Sequence, residues 1–357
     1  MKRLALIAPV LALLFACDKG EDPNNSYEVP ANYTFDNVDY SGQTARLGMF
    51  SELSTYAKSA SSGNMLDAQV MLDMYANENT PFSNDDLNQS SKQIKNKTHE
   101  DYQLYFEVLF QELAEKSDSV NNTASNGQAG LLTSNTGTKT YFVNAQGLEY
   151  AQIIEKRLMG AFIAHQITNV YLGDQKMNVD NSEVTPGNGT EMEHHWDEAF
   201  GYMGLSPYFP DSANSLSFWA KYTNSRDPLL NCNETLMNAF IKGRAAISND
   251  DLDTRDAQIE IIRETLSKIA AATAIHYCNG ALADLADDAL RCHQLSEAVA
   301  FADMLHLYPM APLGLSEIQA LTQPISENMY DVTVSEIETL RDELADAYEL
   351  NDIKTQL

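Results

Sequence analysis

His194-His195-Trp196-Asp197-Glu198-Ala199-Phe200-Gly201-Tyr202 and His293-Gln294-Leu295-Ser296-Glu297-Ala298-Val299-Ala300-Phe301 are two versions of one pattern. In each, a histidine stands four residues before a glutamate, an alanine follows the glutamate, and an aromatic closes the block four positions later. The match extends upstream, where Ala161-Phe162-Ile163-Ala164-His165 aligns with Ala272-Thr273-Ala274-Ile275-His276, each ending an apolar run on a histidine. A pattern that returns in this order predicts an internally duplicated helical hairpin, with repeat copies over about residues 147–205 and 256–305. The fold class that follows is all-α, an antiparallel helical bundle.

Outward from the repeat the helical period continues. Leu47, Phe50, Leu53 and Tyr56 recur at spacings of three, and 66–75 and 101–114 keep the same character. Ser83-Asn84-Asp85-Asp86 supplies an N-cap cluster for a short helix. Residues 148–172 and 257–279 read as long helices with Ala, Ile and Leu facing inward, and further helices fit 216–222, 235–247, 281–305 and 334–347. Residues 117–139, rich in Ser, Asn, Thr and Gly, read as a long exposed loop, and 139–143 is the one short strand candidate. In the 173–193 loop, Asp174, Asp180 and Glu183 lack the ligand order and central glycine of an EF-hand, so the loop reads as solvated.

The chain opens with Lys2 and Arg3, runs apolar from Leu4 to Phe15 and reaches Ala16-Cys17. That is the plan of a secretory signal peptide over 1–16. Leu14-Phe15-Ala16-Cys17 looks like a bacterial lipobox, in which cleavage leaves Cys17 as an acylated N-terminus. Residues 17–34 then read as a lipidated flexible tether, and 35–357 as a single helical domain. The apolar run is short for a bilayer span, and no later stretch is long enough. The expected location is the bacterial cell envelope, lipid-anchored in the outer membrane or facing the periplasm. Acidic residues just after Cys17 resemble surface-export signals of some Gram-negative lipoproteins.

A chain of 357 residues with 44% hydrophobic composition can bury a full core. Its net charge of -28 and lack of a basic stripe argue against nucleic acid as a partner and suit an extracytoplasmic setting. After Cys17 only Cys232, Cys278 and Cys292 remain, so at most one internal disulfide forms. Cys278 and Cys292 flank a turn symmetrically, as a disulfide or as two separate buried thiols. The spacing does not suit a zinc cluster with His276 and His293.

On a helix, residues four apart share a face, so His194 with Glu198, and His293 with Glu297, can each address one point. The hairpin geometry predicts His276 opposite His293 and His165 near His194. His165, His194, Glu198, His276, His293 and Glu297 are therefore candidate ligands of a transition metal ion such as zinc, iron or copper. His195 is the reserve candidate, since adjacent helical residues point about 100° apart. The alternative is a buried polar network that fixes helix register. A zinc peptidase would need a second histidine on the helix beyond Glu198, where Ala199 stands, and no nucleophile elbow, P-loop or dinucleotide fingerprint is present. Catalysis is not the expectation.

Four segments carry a resemblance: 144–152, Glu193-His194-His195-Trp196-Asp197-Glu198-Ala199-Phe200-Gly201-Tyr202, Phe218-Trp219-Ala220-Lys221-Tyr222 and 239–247. The chain resembles an uncharacterised family of bacterial lipoproteins that occurs beside imelysin-like, iron-regulated lipoproteins and outer-membrane receptors. The resemblance spans about residues 40–350. It implies a lipid-anchored helical protein linked to metal uptake, with an outer-membrane receptor or an imelysin-like lipoprotein as partner. Imelysin-like proteins carry a Gly-x-His-x-x-Glu motif; His195 and Glu198 match its His-x-x-Glu part. Glu193 stands where that motif has glycine, and Gln294 replaces the histidine in the second copy.

Overall fold

The computed structural model describes residues 27–213 and 215–357. The expected signal peptide, Cys17 and the first part of the tether lie outside the described residues. Thirteen α-helices follow one another among the described residues, with one small hairpin of strands. They are α1 (Ser41–Lys58), α2 (Ala68–Ala76), α3 (Asp85–Gln89), α4 (Glu100–Ser117), β1 (Gly130–Thr133), β2 (Thr140–Val143), α5 (Tyr150–Leu158), α6 (Asp174–Met177), α7 (Glu191–Met203), α8 (Phe218–Leu230), α9 (Cys232–Ser248), α10 (Leu252–Ala283), α11 (Asp288–Asp303), α12 (Leu315–Glu327) and α13 (Val334–Ala347). The fold class is all-α, as the periodicity predicts.

α10 is the central element. Its Ala270-Ala271-Ala272-Thr273-Ala274 stretch is buried throughout, and such small side chains let α8, α9, α11 and α13 all pack on one helix. α11 leaves α10 through a four-residue turn, 284–287, where Asp287 caps the new helix by accepting from the Ala289 and Leu290 amides. In the first copy α7 starts in a capping box: Thr190 Oγ1 accepts from the Glu193 amide, and Glu193 accepts from that of Thr190. α7 ends at Gly204, whose φ of 67° lies in the left-handed region. It packs against the end of the long helix that opens with α5, and α5 itself packs against α11, so the two copies share one core.

That long helix is not α-helical to its end. α5 continues as two π-helical segments, Met159–Ala164 and Gln166–Tyr171. Widening a helix loosens its own ladder, and carbonyls along this stretch are taken by outside donors. Trp219 Nε1 reaches Met159 O at 2.9 Å, the His99 amide reaches Ala161 O at 2.8 Å, and Arg263 bonds Thr168 O and Leu172 O, each at 3.0 Å.

Not every expectation holds. Gly130–Thr133 pairs antiparallel with β2, Gly130 opposite Val143, within the stretch read as an exposed loop. Four residues are too few to display a period among Asn, Ser and Thr. The packed chain begins before residue 35, because Tyr33 is 2% exposed, stacks on Phe200 at 3.8 Å and donates to Asp197 at 2.5 Å. Of the two alternatives for Cys278 and Cys292 the buried thiols are found: both are free and buried, as is Cys232. Cys278 lies near Arg341 of α13 and Cys292 against Gly147, so the two thiols are turned toward different neighbours, and burial pushes each up to about 12.

Candidate functional site: two carboxylate hubs

Glu198 sits on the face of α7 turned toward α1 and the second π-helical segment. Its Oε1 accepts from Gln43 Nε2 of α1 at 2.7 Å and from the Tyr171 hydroxyl at 3.1 Å. Its Oε2 lies 3.2 Å from His195 Nδ1 and 3.9 Å from His194 Nε2. Lys176 of α6 donates to His195 Nε2 at 3.2 Å. An ammonium has only donors, so His195 Nε2 must be the acceptor and Nδ1 carries the proton given to Glu198. Burial alone would raise the Glu198 carboxyl, but hydrogen bonds from His195, Gln43 and Tyr171 and the charge of His194 hold it below the usual range.

Glu297 on α11 repeats the arrangement with other residues. Its Oε1 lies 3.4 Å from His293 Nε2, and its Oε2 takes the Tyr222 hydroxyl of α8 at 3.3 Å and faces Lys156 Nζ of α5 at 3.7 Å. Each glutamate is thus reached by an imidazole from its own helix, a phenol from a second and a polar side chain from a third. The registers differ: His293 precedes its glutamate by four residues, whereas the closer histidine in the first copy is His195, three before Glu198. One helical residue turns the side chain by about 100°, which is enough to exchange the roles of His194 and His195.

The second hub belongs to a longer line of charge. His293 Nδ1 donates to Glu149 Oε2 at 2.6 Å, and Tyr141 stacks on the ring at 4.2 Å. Lys156 also binds Glu155 Oε1 at 2.7 Å, and Glu155 takes Ser54 and Lys58 on its other oxygen. Both His293 nitrogens face carboxylates, which only accept, so its surroundings favour the protonated ring. Burial opposes that charge, but Glu149 and then Glu297 outweigh it and raise the His293 pKa.

The sign follows from linkage. A folded-state pKa above the unfolded value contributes stability that is fully present below about 6.5 and is lost as pH rises through the folded value. His165 is the opposite case, because burial and then His99 push it down to about 4. A proton NMR titration should find His293 still charged above pH 6.5 and His165 neutral until about pH 4. Two ordinary midpoints near 6.5 would refute the assignment.

The structure does not bring the six candidate ligands to one point. His165 lies against His99, with ring centroids 4.7 Å apart, not beside His194. The π-helical segments alter the residues per turn, so a face counted on the α period drifts off target. His276 Nδ1 bonds Leu357 O at 2.5 Å rather than facing His293, because the neighbouring Tyr277 takes the inward face and stacks on Phe301. Burial lowers the His276 pKa. Among the described residues no three His, Cys, Asp or Glu side chains are placed to hold one metal ion. In the second hub Glu149 and Glu297 lie at opposite nitrogens of the ring between them.

One network escaped the sequence. Arg244 of α9, almost fully buried, donates from Nε to Asp197 Oδ1 at 3.0 Å and from Nη1 to Glu193 Oε1 at 2.5 Å. Burial pushes the Asp197 carboxyl up to about 7, against the pull of Arg244 and Tyr33. Glu193, which replaces a motif glycine, therefore serves both the capping box and this pair. The single signal was an arginine between Gly243 and Ala245 in the largely apolar stretch 239–247, two residues after Lys242.

Residues 26–351 match the family described as Domain of unknown function (DUF4856). No curated protein and no solved structure matches the chain.

Proposed function

The chain belongs to the DUF4856 family, and we propose that it is an extracytoplasmic, lipid-anchored helical binding protein whose two carboxylate hubs tie its helices together. The observation that carries the hub role is the donor set: Glu198 collects Gln43, Tyr171 and His195, and Glu297 collects Lys156, Tyr222 and His293, each set drawn from three elements. A carboxylate already supplied with donors in a buried setting is a fixed joint, because a ligand would have to displace them. The anchoring half is supported by Lys2-Arg3, the apolar run and Ala16-Cys17. In that setting the partners are the membrane, through the lipid on Cys17, and an outer-membrane receptor or imelysin-like lipoprotein.

Replacing Cys17 with serine should move the protein from the membrane to the soluble fraction. A Cys17→Ser variant that still sediments with membranes would overturn the anchoring.

A second reading takes the protein as a metal-uptake accessory. Its support is that His194 Nε2 and His195 Nδ1 both turn to Glu198 Oε2. Two imidazoles and a carboxylate are a donor set suited to zinc or iron. Holding an ion there requires Lys176 and His195 to part and His194 to swing inward. Metal analysis of protein purified without a histidine tag separates the two: stoichiometric zinc, iron or copper supports the uptake reading, and its lack supports the hubs.

A further inference from the structure

A cleft of about 490 Å³ opens between α4 and α12, away from both hubs. On α12, Leu315, Gln319, Thr322, Gln323 and Ser326 fall at spacings that place them on one helical face, and that face lines the cleft. The facing wall is Tyr102 and Tyr105, three residues apart on α4, and the floor is Arg157 and Asp303. In a chain of net charge -28 this floor is neutral, because Arg157 is paired with Asp303. A cleft with cancelled charge offers little to an anion or a cation.

What it does offer is mixed, uncharged hydrogen bonding beside aromatic rings. The Tyr105 oxygen accepts from Arg157, which has donors only, so the Tyr105 hydroxyl hydrogen is left to give. His306 Nδ1 donates to Asp303 O at 2.8 Å, so its Nε2 accepts from Tyr102 at 2.9 Å and the lone pairs of Tyr102 are left to receive. Thr322 already donates to Asp303 Oδ1 at 2.7 Å, and the exposed Gln319 presents an amide able both to give and to receive. Alcohol groups match such a set, since each hydroxyl is donor and acceptor at once. The apolar C–H face of a sugar ring matches a tyrosine ring. The volume lies within the range of small-molecule sites.

We propose that this cleft binds a neutral saccharide of one or two rings. The test is saturation-transfer NMR on the full chain with maltose, cellobiose and diacetylchitobiose as probes, and with triglycine amide and inorganic phosphate as controls. At least one disaccharide should receive saturation, and Gln319→Ala, an exposed change that leaves the fold intact, should weaken its binding by about tenfold. Tyr105→Phe, with its fold checked by circular dichroism, should weaken it similarly. Failure of all three sugars, binding unchanged in Gln319→Ala, or a signal from triglycine amide or phosphate alone would each overturn the proposal.

Discussion

Replacing Lys156 with methionine is expected to destabilise the protein by about 3–5 kcal/mol, the usual consequence of removing one partner from a buried ion pair. The Lys156 side chain is 3% exposed and stands between Glu155 and Glu297, themselves nearly buried. Despite the cost of burial, Glu155 and Glu297 raise its pKa, so the ammonium is charged at any ordinary pH. Methionine fills similar volume but answers neither carboxylate. Glu155 would keep Lys58 and Ser54, whereas Glu297 would be left with the Tyr222 hydroxyl and His293. Urea unfolding measures the loss. Adding Glu297→Gln should recover part of it, since the second change removes the uncompensated charge. A single variant within about 0.5 kcal/mol of wild type, as surface substitutions usually are, would show that the line of charges does not hold the bundle.

Arg244→Met should cost a similar amount, about 3–5 kcal/mol, and its cost should depend on pH. Arg244 is the charged partner of Asp197, whose side chain is 0% exposed and whose carboxyl already stands at about 7. Without the guanidinium that pKa rises further. A raised carboxylate pKa in the folded state means that protonation stabilises the fold, so the variant is least impaired near pH 5 and most impaired near pH 8. Glu193 loses a partner as well but keeps the Thr190 amide and Ser248. Unfolding curves at both pH values decide the matter, and equal losses at pH 5 and pH 8 would contradict a buried Asp197–Arg244 pair.

Much of the bundle is legible in the sequence because its helices carry strong apolar periods and distinct ends. The α10–α11 hairpin follows from the two apolar runs 257–279 and 281–305, although the turn itself falls at 284–287, inside the second of them, where Asp287 caps α11. The repeat also singles out Glu198, half-buried, and Glu297, buried, as glutamates turned toward other helices. Their partners were not legible. Gln43, Lys156 and Tyr222 come from elements that neither copy of the short motif contains, and nothing in a local period says which distant helix lies across from a glutamate. The faces of His165 and His276 failed for local reasons: a π-helical stretch in one case, and in the other a neighbouring tyrosine that takes the inward position. The segment from Tyr27 to Thr34 looks like tether by composition, yet one tyrosine stacked on Phe200 and bonded to Asp197 is enough to dock it.

The central claim is that Glu198 and Glu297 join helices and do not hold metal. Calorimetric titration of tag-free protein with zinc, iron(II) and copper(II), repeated on His194→Ala and Glu198→Gln, tests it most directly, with the thermal midpoint followed in parallel. The hub account predicts no stoichiometric site in the wild type, no rise of its midpoint with added metal, and a lower midpoint for Glu198→Gln in the presence of a chelator. A single site that raises the wild-type midpoint by mass action, and that disappears in both variants, would contradict it.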